Sequence, residues 1–361
     1  MTHRPSTTQP FRIGDRLIGP GQPVFVIAEA GVNHNGQASM AFDLVRAAQG
    51  TGVDSIKFQT FKAEHLVVPT APKARYQLEV TDPKESQLDM LRALELDEAA
   101  YPKLLDACKA ANLEFLSTPY SDEDVEFLVR MGSPALKLAS IHAAEPSFIR
   151  TAATTGKPLI VSTGMCTMDE VKNAVDAIRS TGNDNFVVLQ CTTNYPSPIK
   201  DANLRAMITM RDQLGVRVGY SDHTQSNTAC IAAVALGACV IEKHLTLDKK
   251  LAGPDHSCSL EPGEMTKLVA KIREAESAMG DGVKIPSPIE ARNILGMRRG
   301  IAARRSIAKG AQITAADLIL KRPLTEVPAS AWDSVVGSLA LRDIEADRHL
   351  TRADYSTGLP P

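Results

Sequence analysis

The feature that most limits the fold of this chain is an alternation of short apolar runs with helical patterns. Six apolar runs lie at residues 24–31, 55–61, 114–120, 135–140, 158–164 and 186–191, and two more end at residues 223 and 244. Most of them are separated by a segment in which apolar residues recur at helical spacing. Continuous apolar runs are typical of parallel strands that are buried on both faces. Eight such units over ~250 residues predict a (β/α)8 TIM barrel.

Polar side chains gather where these runs end. They are Glu29, Lys57, Gln59, Thr118, Lys137, Ser140, Ser162, Thr163, Gln190, Thr192, Thr193, Ser221, Asp222, His223, Glu242 and His244. A barrel brings the C-terminal ends of all its strands to one face, where its active site is built. An open sheet would instead concentrate such residues at one switch point. The spread over all eight runs therefore favours the barrel and predicts a site at that face.

The segments around the runs predict the domain layout. Short β-type pieces with Lys-Gly and Ile-Thr turns indicate a compact β-rich domain after the barrel. A polar, proline-marked excursion inside the barrel is typical of lids and binding loops. We expect an N-terminal tail (1–20), the barrel (21–280) with its excursion (62–92), a linker (281–297), the β-rich domain (298–356) and a C-terminal tail (357–361).

Charge and composition exclude several classes of partner. The formal net charge is -2, so we expect neither nucleic-acid binding nor attraction to a membrane surface. The sequence has no run of ~18 apolar residues that could span a bilayer and no apolar signal core near its start. Its six cysteines show no paired spacing. This pattern indicates reduced thiols and a cytoplasmic protein.

Two histidines lie at the ends of successive predicted strands. His223 and His244 are 21 residues apart, about one βα unit, so both rings should point into one place. Two neutral imidazoles suit a divalent transition metal and leave positions open for water and substrate. The spacing fits equally well two hydrogen-bonded histidines at a barrel mouth without a metal.

Two lysines lie inside apolar runs, where a lone charge is costly. Lys57 and Lys137, with hydroxyl groups at neighbouring strand ends, predict a pocket for an anion that bears phosphate and carboxylate. The hydroxyl groups are those of Thr118, Ser140, Ser162 and Thr163. Two alternatives remain: the lysines pair structurally with Glu29 or Glu242, or one of them forms a Schiff base, as in an aldolase.

Two carboxylates are candidates for roles near the lysines and histidines. Glu29 could act as a general base or orient a substrate, or it could only neutralise Lys57. Asp255 lies in a Gly-Pro-Asp-His turn after the last run. Its carboxylate could reach a metal or its water, or it could cap the turn.

Nine segments carry a resemblance to a known family. They are IAEAGVNHNG, IKFQTF, STPYS, LKLAS, VSTGM, LQCTTNYP, GYSDHT, EKHLT and GPDHSCSLEP. In this order and spacing they resemble the signature series of the sialic acid synthase family, over residues 24–356. The resemblance implies a TIM barrel followed by a C-terminal antifreeze-like SAF domain at residues 298–356.

The resemblance also implies a reaction. Members of this family condense phosphoenolpyruvate with an open-chain amino sugar aldehyde, release phosphate by C–O cleavage, and form a nonulosonic 2-keto-3-deoxy acid. A divalent metal held by His223 and His244 would polarise the aldehyde. Mn²⁺ is the expected ion, with Mg²⁺ or Co²⁺ as alternatives.

Individual roles follow from the same resemblance. The catalytic positions are matched by Glu29, His223, His244 and Asp255. The phosphoenolpyruvate contacts are matched by Lys57, Thr118, Lys137, Ser140, Ser162 and Ser221. The sugar contacts are matched by Gln59, His142, Tyr195, Asp255 and Arg322. The arginine would come from the partner chain, because the family forms a domain-swapped homodimer.

Two positions depart from the family pattern. His142 stands where the family has an acidic residue that contacts sugar hydroxyls, and Arg322-Pro is followed by Leu-Thr-Glu instead of Gly-x-Gly. We therefore expect an acceptor sugar other than plain N-acetylmannosamine. Two further interpretations stay open, which are a Schiff-base aldolase that uses Lys57 or Lys137 and a non-catalytic homologue that binds sugar phosphates.

Overall fold

The structure is a computed structural model that describes residues 9–356. The chain divides into two compact units between Gly280 and Asp281. The predicted C-terminal tail and the first eight residues of the predicted N-terminal tail lie outside the described residues.

The first unit begins with a short antiparallel hairpin and continues as an eight-stranded barrel. The hairpin strands are β1 (Phe11–Ile13) and β2 (Arg16–Ile18). The barrel strands are β3 (Phe25–Gly31), β4 (Ser55–Thr60), β5 (Glu114–Pro119), β6 (Leu136–Leu138), β7 (Leu159–Ser162), β8 (Phe186–Cys191), β9 (Arg217–Asp222) and β10 (Val240–His244).

Helices surround the barrel and connect its strands. They are α1 (Ala38–Gln49), α2 (Ala63–Leu66), α3 (Arg75–Val80), α4 (Gln87–Ala93), α5 (Tyr101–Ala110), α6 (Asp122–Met131), α7 (Pro146–Thr154), α8 (Met168–Arg179), α9 (Arg205–Leu214), α10 (Thr228–Ala235) and α11 (Pro262–Met279). Short 3-10 helices lie at Glu98–Ala100, Ser140–Ala144, Ile199–Asp201 and His256–Cys258.

The sheet has the order β5-β4-β3-β10-β9-β8-β7-β6, and all its pairings are parallel. The first and last barrel strands, β3 and β10, are hydrogen-bonded neighbours, and β5 lies beside β6. One apolar cluster fills the layer between strands and helices, and a second fills the N-terminal end of the barrel interior. The predicted TIM barrel is confirmed.

The predicted N-terminal tail was wrong for residues 11–18, which form the hairpin of β1 and β2. Phe11, Ile13 and Ile18 are buried in the same cluster as the inward-facing Phe25 and Leu116. The hairpin therefore covers the N-terminal end of the barrel. Its two strands alternate buried with more exposed side chains across a Gly-Asp turn, which is a recognised hairpin pattern.

The excursion at residues 62–92 contains helices rather than only loop. Lys73, whose side chain is 2% exposed, connects the residues on either side of α3 by donating hydrogen bonds to Thr81, to the carbonyl of Asp82 and to Glu85. This buried ammonium group fixes α3 against the turn that follows it. The excursion is thus an ordered cover.

The second unit is small and contains α12 (Pro288–Met297), β11 (Gly300–Ala303), β12 (Leu318–Lys321) and α13 (Trp332–Val335). The two strands pair antiparallel, and isolated bridges join the remaining extended pieces around one apolar cluster. The predicted linker is partly wrong, because its second half is α12. Ser287 and Glu290 form a capping box with Pro288 at the first helical position, which is a helix-start signal.

Within residues 9–356, no helix is both long and apolar enough to cross a bilayer. All six cysteines are free thiols, and five of them are buried.

Replacing Ile13 by alanine tests whether the hairpin belongs to the barrel core. Ile13 is 0% exposed, so its loss should lower the free energy of unfolding by about 2–5 kcal/mol. Leu17→Ala changes an exposed side chain of the same hairpin and should cost less than about 0.5 kcal/mol. Urea unfolding measures both. Equal, small losses would contradict the placement of the hairpin.

Candidate active site

A cavity of about 380 Å³ opens at the C-terminal ends of the barrel strands. Thirteen residues that the sequence singles out line it together: Glu29, Lys57, Gln59, Thr118, Lys137, Ser140, Ser162, Tyr195, Ser221, His223, Glu242, His244 and Asp255. They reach one place because side chains two positions apart on a strand share a face. Lys57 and Gln59 thus face inward, while Phe58 between them packs in the outer core.

Two lysines and two carboxylates form a charged floor of this cavity. Lys57 Nζ lies 2.7 Å from Glu29 and 3.8 Å from Glu242, and Lys137 Nζ lies 3.4 Å from Glu242. All four side chains are at most 5% exposed. Because charges in such a place must be compensated, each carboxylate pairs with at least one lysine.

The two carboxylates titrate in opposite directions. Burial raises the pKa of Glu29 to about 7, although Lys57 opposes the shift. Burial acts on Glu242 in the same sense, but Lys137, Lys57 and a hydrogen bond from Ser221 lower its pKa to about 2. Near neutral pH Glu242 is therefore ionised while Glu29 exchanges a proton. With Glu29 protonated and both lysines charged, the floor carries one net positive charge.

Hydroxyl groups complete the floor. Thr118 Oγ1 accepts a hydrogen bond from Lys57 at 3.0 Å, and Ser221 donates to Glu242 at 2.9 Å. Ser140 Oγ accepts from the backbone N–H of Gly164 at 3.0 Å. The buried hydroxyl of Ser162 has no hydrogen-bond partner within the described residues. A free hydroxyl beside paired ammonium groups is suited to bind an anion.

The two histidines face each other at the edge of this floor. Their ring centroids are 5.4 Å apart, and the ring of Tyr195 lies 4.0 Å from His223 and 5.5 Å from His244. His223 Nδ1 donates to the carbonyl of Thr192 at 2.7 Å, so Nε2 carries the lone pair. Burial acts against a charge on His223, while Cys191, whose Sγ lies 3.8 Å away, raises its pKa.

These imidazoles fit a divalent metal. A carbonyl that fixes the tautomer of a ligating histidine is a common outer contact in metal sites. Burial holds the pKa of His244 well below its usual value, which favours the neutral ring that binds metals. Its Nδ1 is buried without a hydrogen-bond partner among the described residues. Within residues 9–356, no group of three or more histidine, cysteine or acidic side chains is placed to hold a metal ion.

Asp255 faces the cavity and does not cap its turn. Its Oδ2 lies 3.9 Å from His244 Nδ1, and burial raises its pKa to about 6. The neighbouring His256 ring hydrogen-bonds to Asn35 and Thr246, which holds the turn in place. The carboxylate is thereby presented to the imidazole pair.

His142 is not among the residues that line the cavity, so the structure does not place its ring where the predicted sugar contact would require it. It belongs to the 3-10 helix Ser140–Ala144, in which a position two residues after Ser140 does not share its face. Its ring is buried against Phe148, 4.3 Å away, and its Nδ1 hydrogen-bonds to Glu145 at 2.9 Å. It meets the edge of the cavity-lining Tyr120 at 5.4 Å.

Arg322 lies in the second unit, where its Nε donates to the carbonyl of Met297 at 3.0 Å. Its predicted contact with a sugar in a partner chain stays a prediction.

Several lining residues escape the sequence analysis as site residues. They are Tyr76, Gln77, Tyr120, Cys191 and an apolar wall formed by Val32, Leu66, Val67, Met90, Leu91 and Leu94. Glu242 lines the cavity as its strand-end position predicts, because it stands two positions before His244 in the same strand. Most of the wall comes from the excursion, whose interpretation as a cover over a binding site agrees with the cavity.

The fold and the site define a class: a TIM barrel with a binding cavity at the C-terminal ends of its strands, followed by a small β-rich unit. The profile of the NeuB family matches residues 44–284, and that of the SAF domain matches residues 298–356. The chain belongs to the NeuB family and carries a C-terminal SAF domain. This confirms the resemblance drawn from the sequence.

Known proteins similar to this chain carry related names. It is 43% identical to the N,N'-diacetyllegionaminic acid synthase of Legionella pneumophila over 92% of this chain and 95% of that protein. It is 41% identical to the enzyme of the same name from Campylobacter jejuni, over 89% of this chain and 97% of that protein. A crystal structure of an N-acetylneuraminic acid synthetase from Leptospira borgpetersenii, in complex with citrate, matches with a TM-score of 0.71 and 30% identity over 80% of this chain and 95% of that one.

The metal-free protein should contain one glutamate that titrates near pH 7. We expect ¹³C NMR of carboxyl-labelled glutamates to show this titration at about 7, and to lose it in Glu29→Gln, because burial disfavours the charged form of Glu29. The folded pKa is above the usual 4.5, so the contribution of Glu29 to stability falls as pH rises from 4.5 to about 7. Titration of every glutamate below pH ~6 would contradict this electrostatic description.

Proposed function

We propose that the protein condenses phosphoenolpyruvate with the open-chain aldehyde of an acylamino sugar. C3 of the enolpyruvate bonds to the aldehyde carbon, water adds at C2, and the C2–O bond to phosphate breaks. The products are a nonulosonic 2-keto-3-deoxy acid and inorganic phosphate. The observation that carries the proposal is one cavity in which two paired lysines adjoin two converging imidazoles.

The lysine floor is suited to phosphoenolpyruvate. Lys57, Lys137 and the hydroxyls of Thr118, Ser140, Ser162 and Ser221 offer donors to a phosphate and a carboxylate. The anion would compete with Glu29 and Glu242 for these donors. Protonation of Glu29 near neutral pH would leave the net positive charge that an anion requires.

The side of the cavity that carries His223 and His244, which we call the imidazole edge, is suited to bind the aldehyde. A divalent metal held by His223 and His244, with Mn²⁺ as the expected ion and Mg²⁺ or Co²⁺ as alternatives, would supply Lewis-acid polarisation of the aldehyde oxygen. Glu29, with a pKa of about 7, can hold or release a proton at working pH. Asp255, with a pKa of about 6, can accept a hydrogen bond from a sugar hydroxyl beside His244.

The cover supports an acceptor with apolar substituents. Gln59, Tyr120 and Gln77 offer polar contacts, while the apolar wall lies on the side of the excursion. An acyl methyl group or a deoxy carbon would bury apolar surface there. The relatives named as N,N'-diacetyllegionaminic acid synthases make a product with two acetyl groups. We therefore infer an acceptor with two acylamino groups.

Phosphate release tests the proposed reaction. The protein with Mn²⁺ and phosphoenolpyruvate should release phosphate only with a suitable aldose from a panel of acylamino sugars, and mass spectrometry should find the product acid. His223→Ala should lower kcat/KM at least 10²-fold, because one of two metal ligands is lost. Thermal unfolding in the same buffer checks that the variant is folded. Unchanged turnover in His223→Ala would refute the metal role.

One observation favours a second candidate, a Schiff-base aldolase. Burial lowers the pKa of Lys137, as the nucleophilic lysine of such an enzyme requires. Borohydride treatment with pyruvate separates the two functions, since only the aldolase would gain a covalent mass adduct. We expect no adduct. A homologue that only binds sugar phosphates would show binding without phosphate release.

Tyr120→Phe tests the acceptor side of the cavity. Tyr120 donates a hydrogen bond to Gln59 Oε1 at 3.2 Å, and the loss of about 1 kcal/mol should raise the acceptor KM about fivefold. The KM for phosphoenolpyruvate should not change. Tyr101→Phe is the matched control, because Tyr101 donates to the backbone carbonyl of Gln59 and does not line the cavity. A higher KM for phosphoenolpyruvate in Tyr120→Phe would contradict the assignment.

A further inference from the structure

A buried ion pair on the outer side of the barrel joins the two strands that lead to the imidazoles. Asp222 and Lys243 are register partners in β9 and β10. Lys243 Nζ lies 2.7 Å from Asp222 Oδ2, and both side chains are 0% exposed. They immediately precede His223 and His244 in the sequence. Because side chains alternate along a strand, the ion pair faces the helices while the imidazoles face the cavity.

The ion pair holds the backbone on both sides of His223. Asp222 Oδ1 accepts from the Tyr220 hydroxyl at 3.1 Å and from the N–H of Thr224 at 2.8 Å. Its Oδ2 accepts from Lys243 and from the thiol of Cys230 on α10, at 3.1 Å. Lys243 also donates to the carbonyl of Thr224. The residues before and after His223 are therefore both tied to the neighbouring strand.

The two histidines themselves make fewer hydrogen bonds than the ion pair does. The carbonyl of His223 accepts from the N–H of Ser197 at 2.8 Å, and its ring donates to Thr192. The carbonyl of His244 accepts from the N–H of Leu260 at 2.8 Å, while its Nδ1 is unpartnered among the described residues. The ring of His244 thus takes its place mainly from β10, and Lys243 connects β10 to the segment around His223.

The packing of the helices against the barrel does not require charged side chains at the positions of Asp222 and Lys243. Outward positions near the C-terminal ends of the other six barrel strands carry uncharged side chains: Ala28, Phe58, Ser117, Leu138, Val161 and Gln190. A buried ion pair is costly to desolvate, and apolar residues of similar size often replace one without loss of stability. What an apolar pair cannot provide is the set of directed bonds to Thr224 and between the two strands.

We propose that the Asp222–Lys243 ion pair is a positioning device that sets the separation and orientation in which His223 and His244 bind a divalent metal. The inference rests on the proposed function, because it takes these imidazoles as the metal ligands. It adds two residues outside the cavity to those on which the site depends.

The double variant Asp222→Asn/Lys243→Met tests the proposal in the full-length protein. The asparagine keeps an oxygen for the N–H of Thr224, so the barrel should stay folded, while the ion pair and the bond to the Thr224 carbonyl are lost. We expect the Kd for Mn²⁺, measured by electron paramagnetic resonance, to rise at least about tenfold. The visible spectrum of the Co²⁺ complex should change as well.

The matched control is Asp54→Asn/Arg273→Met. It removes an ion pair of 3.1 Å between the residue before β4 and α11, at the other end of the barrel. Its Kd for Mn²⁺ and its Co²⁺ spectrum should equal those of the unmodified protein. Should the first double variant not fold, Asp222→Asn/Lys243→Gln, which also leaves neither position with an unpaired buried charge, provides the same comparison.

Two results would overturn the positioning role and leave the proposed function intact. One is an unchanged Mn²⁺ Kd and Co²⁺ spectrum in the double variant. The other is a lower thermal midpoint with unchanged metal binding below that midpoint, which would show a purely structural pair. If the unmodified protein binds no Mn²⁺, or binds it equally well after His223→Ala, both this inference and the metal role in the proposed function fail.

Discussion

The pairing of β10 with β3 on one side and β9 on the other is the constraint on which the site depends. The register sets His244 beside Glu29, Glu242 beside Ser221 and Lys243 beside Asp222. The next pairing sets Glu29 beside Lys57. A shift of one residue would turn each inward side chain toward the helices. Closure of the barrel at this seam therefore brings the imidazole edge and the lysine floor together.

The protonation states of the four charged groups on the floor depend on one another. Two lysines and two carboxylates share one buried space, and Glu242, which lies within 4 Å of both lysines, stays ionised while Glu29 titrates near pH 7. A floor with all four groups charged would offer no net attraction to an anion. Protonation of Glu29 therefore changes the net charge that the floor presents to an anion. A buried carboxyl group with a raised pKa is the kind of perturbed group expected at active sites.

Much of the fold and of the floor could be predicted, because both follow from strand alternation. The residue types at strand ends identify Lys57 with Gln59 and Ser221 with His223 as inward pairs. The same rule identifies Glu242 with His244. It does not extend to His142, which was assigned by the family resemblance, because the chain leaves β6 directly into a 3-10 helix whose period is three residues. The apolar wall could not be predicted, since it depends on how the excursion folds back over the cavity.

Two local sequence signals lie in segments that we predicted to be a tail and a linker. The Gly14-Asp15 turn between alternating segments marks the hairpin, and Ser287 with Glu290 marks the start of α12. Both elements are short, and neither repeats the barrel pattern that dominates the sequence. The hairpin nevertheless determines how the interior is closed at its N-terminal end, where Ile13 is fully buried.

Isotope transfer from phosphoenolpyruvate tests the central claim most directly. The substrate is labelled with ¹⁸O in the oxygen that bridges C2 and phosphorus, and it is incubated with the protein, Mn²⁺ and an accepted acylamino sugar. If water adds at C2 and the C–O bond breaks, the released inorganic phosphate retains the label. Label in the organic acid, or a condensation product formed without phosphate release, would contradict the account.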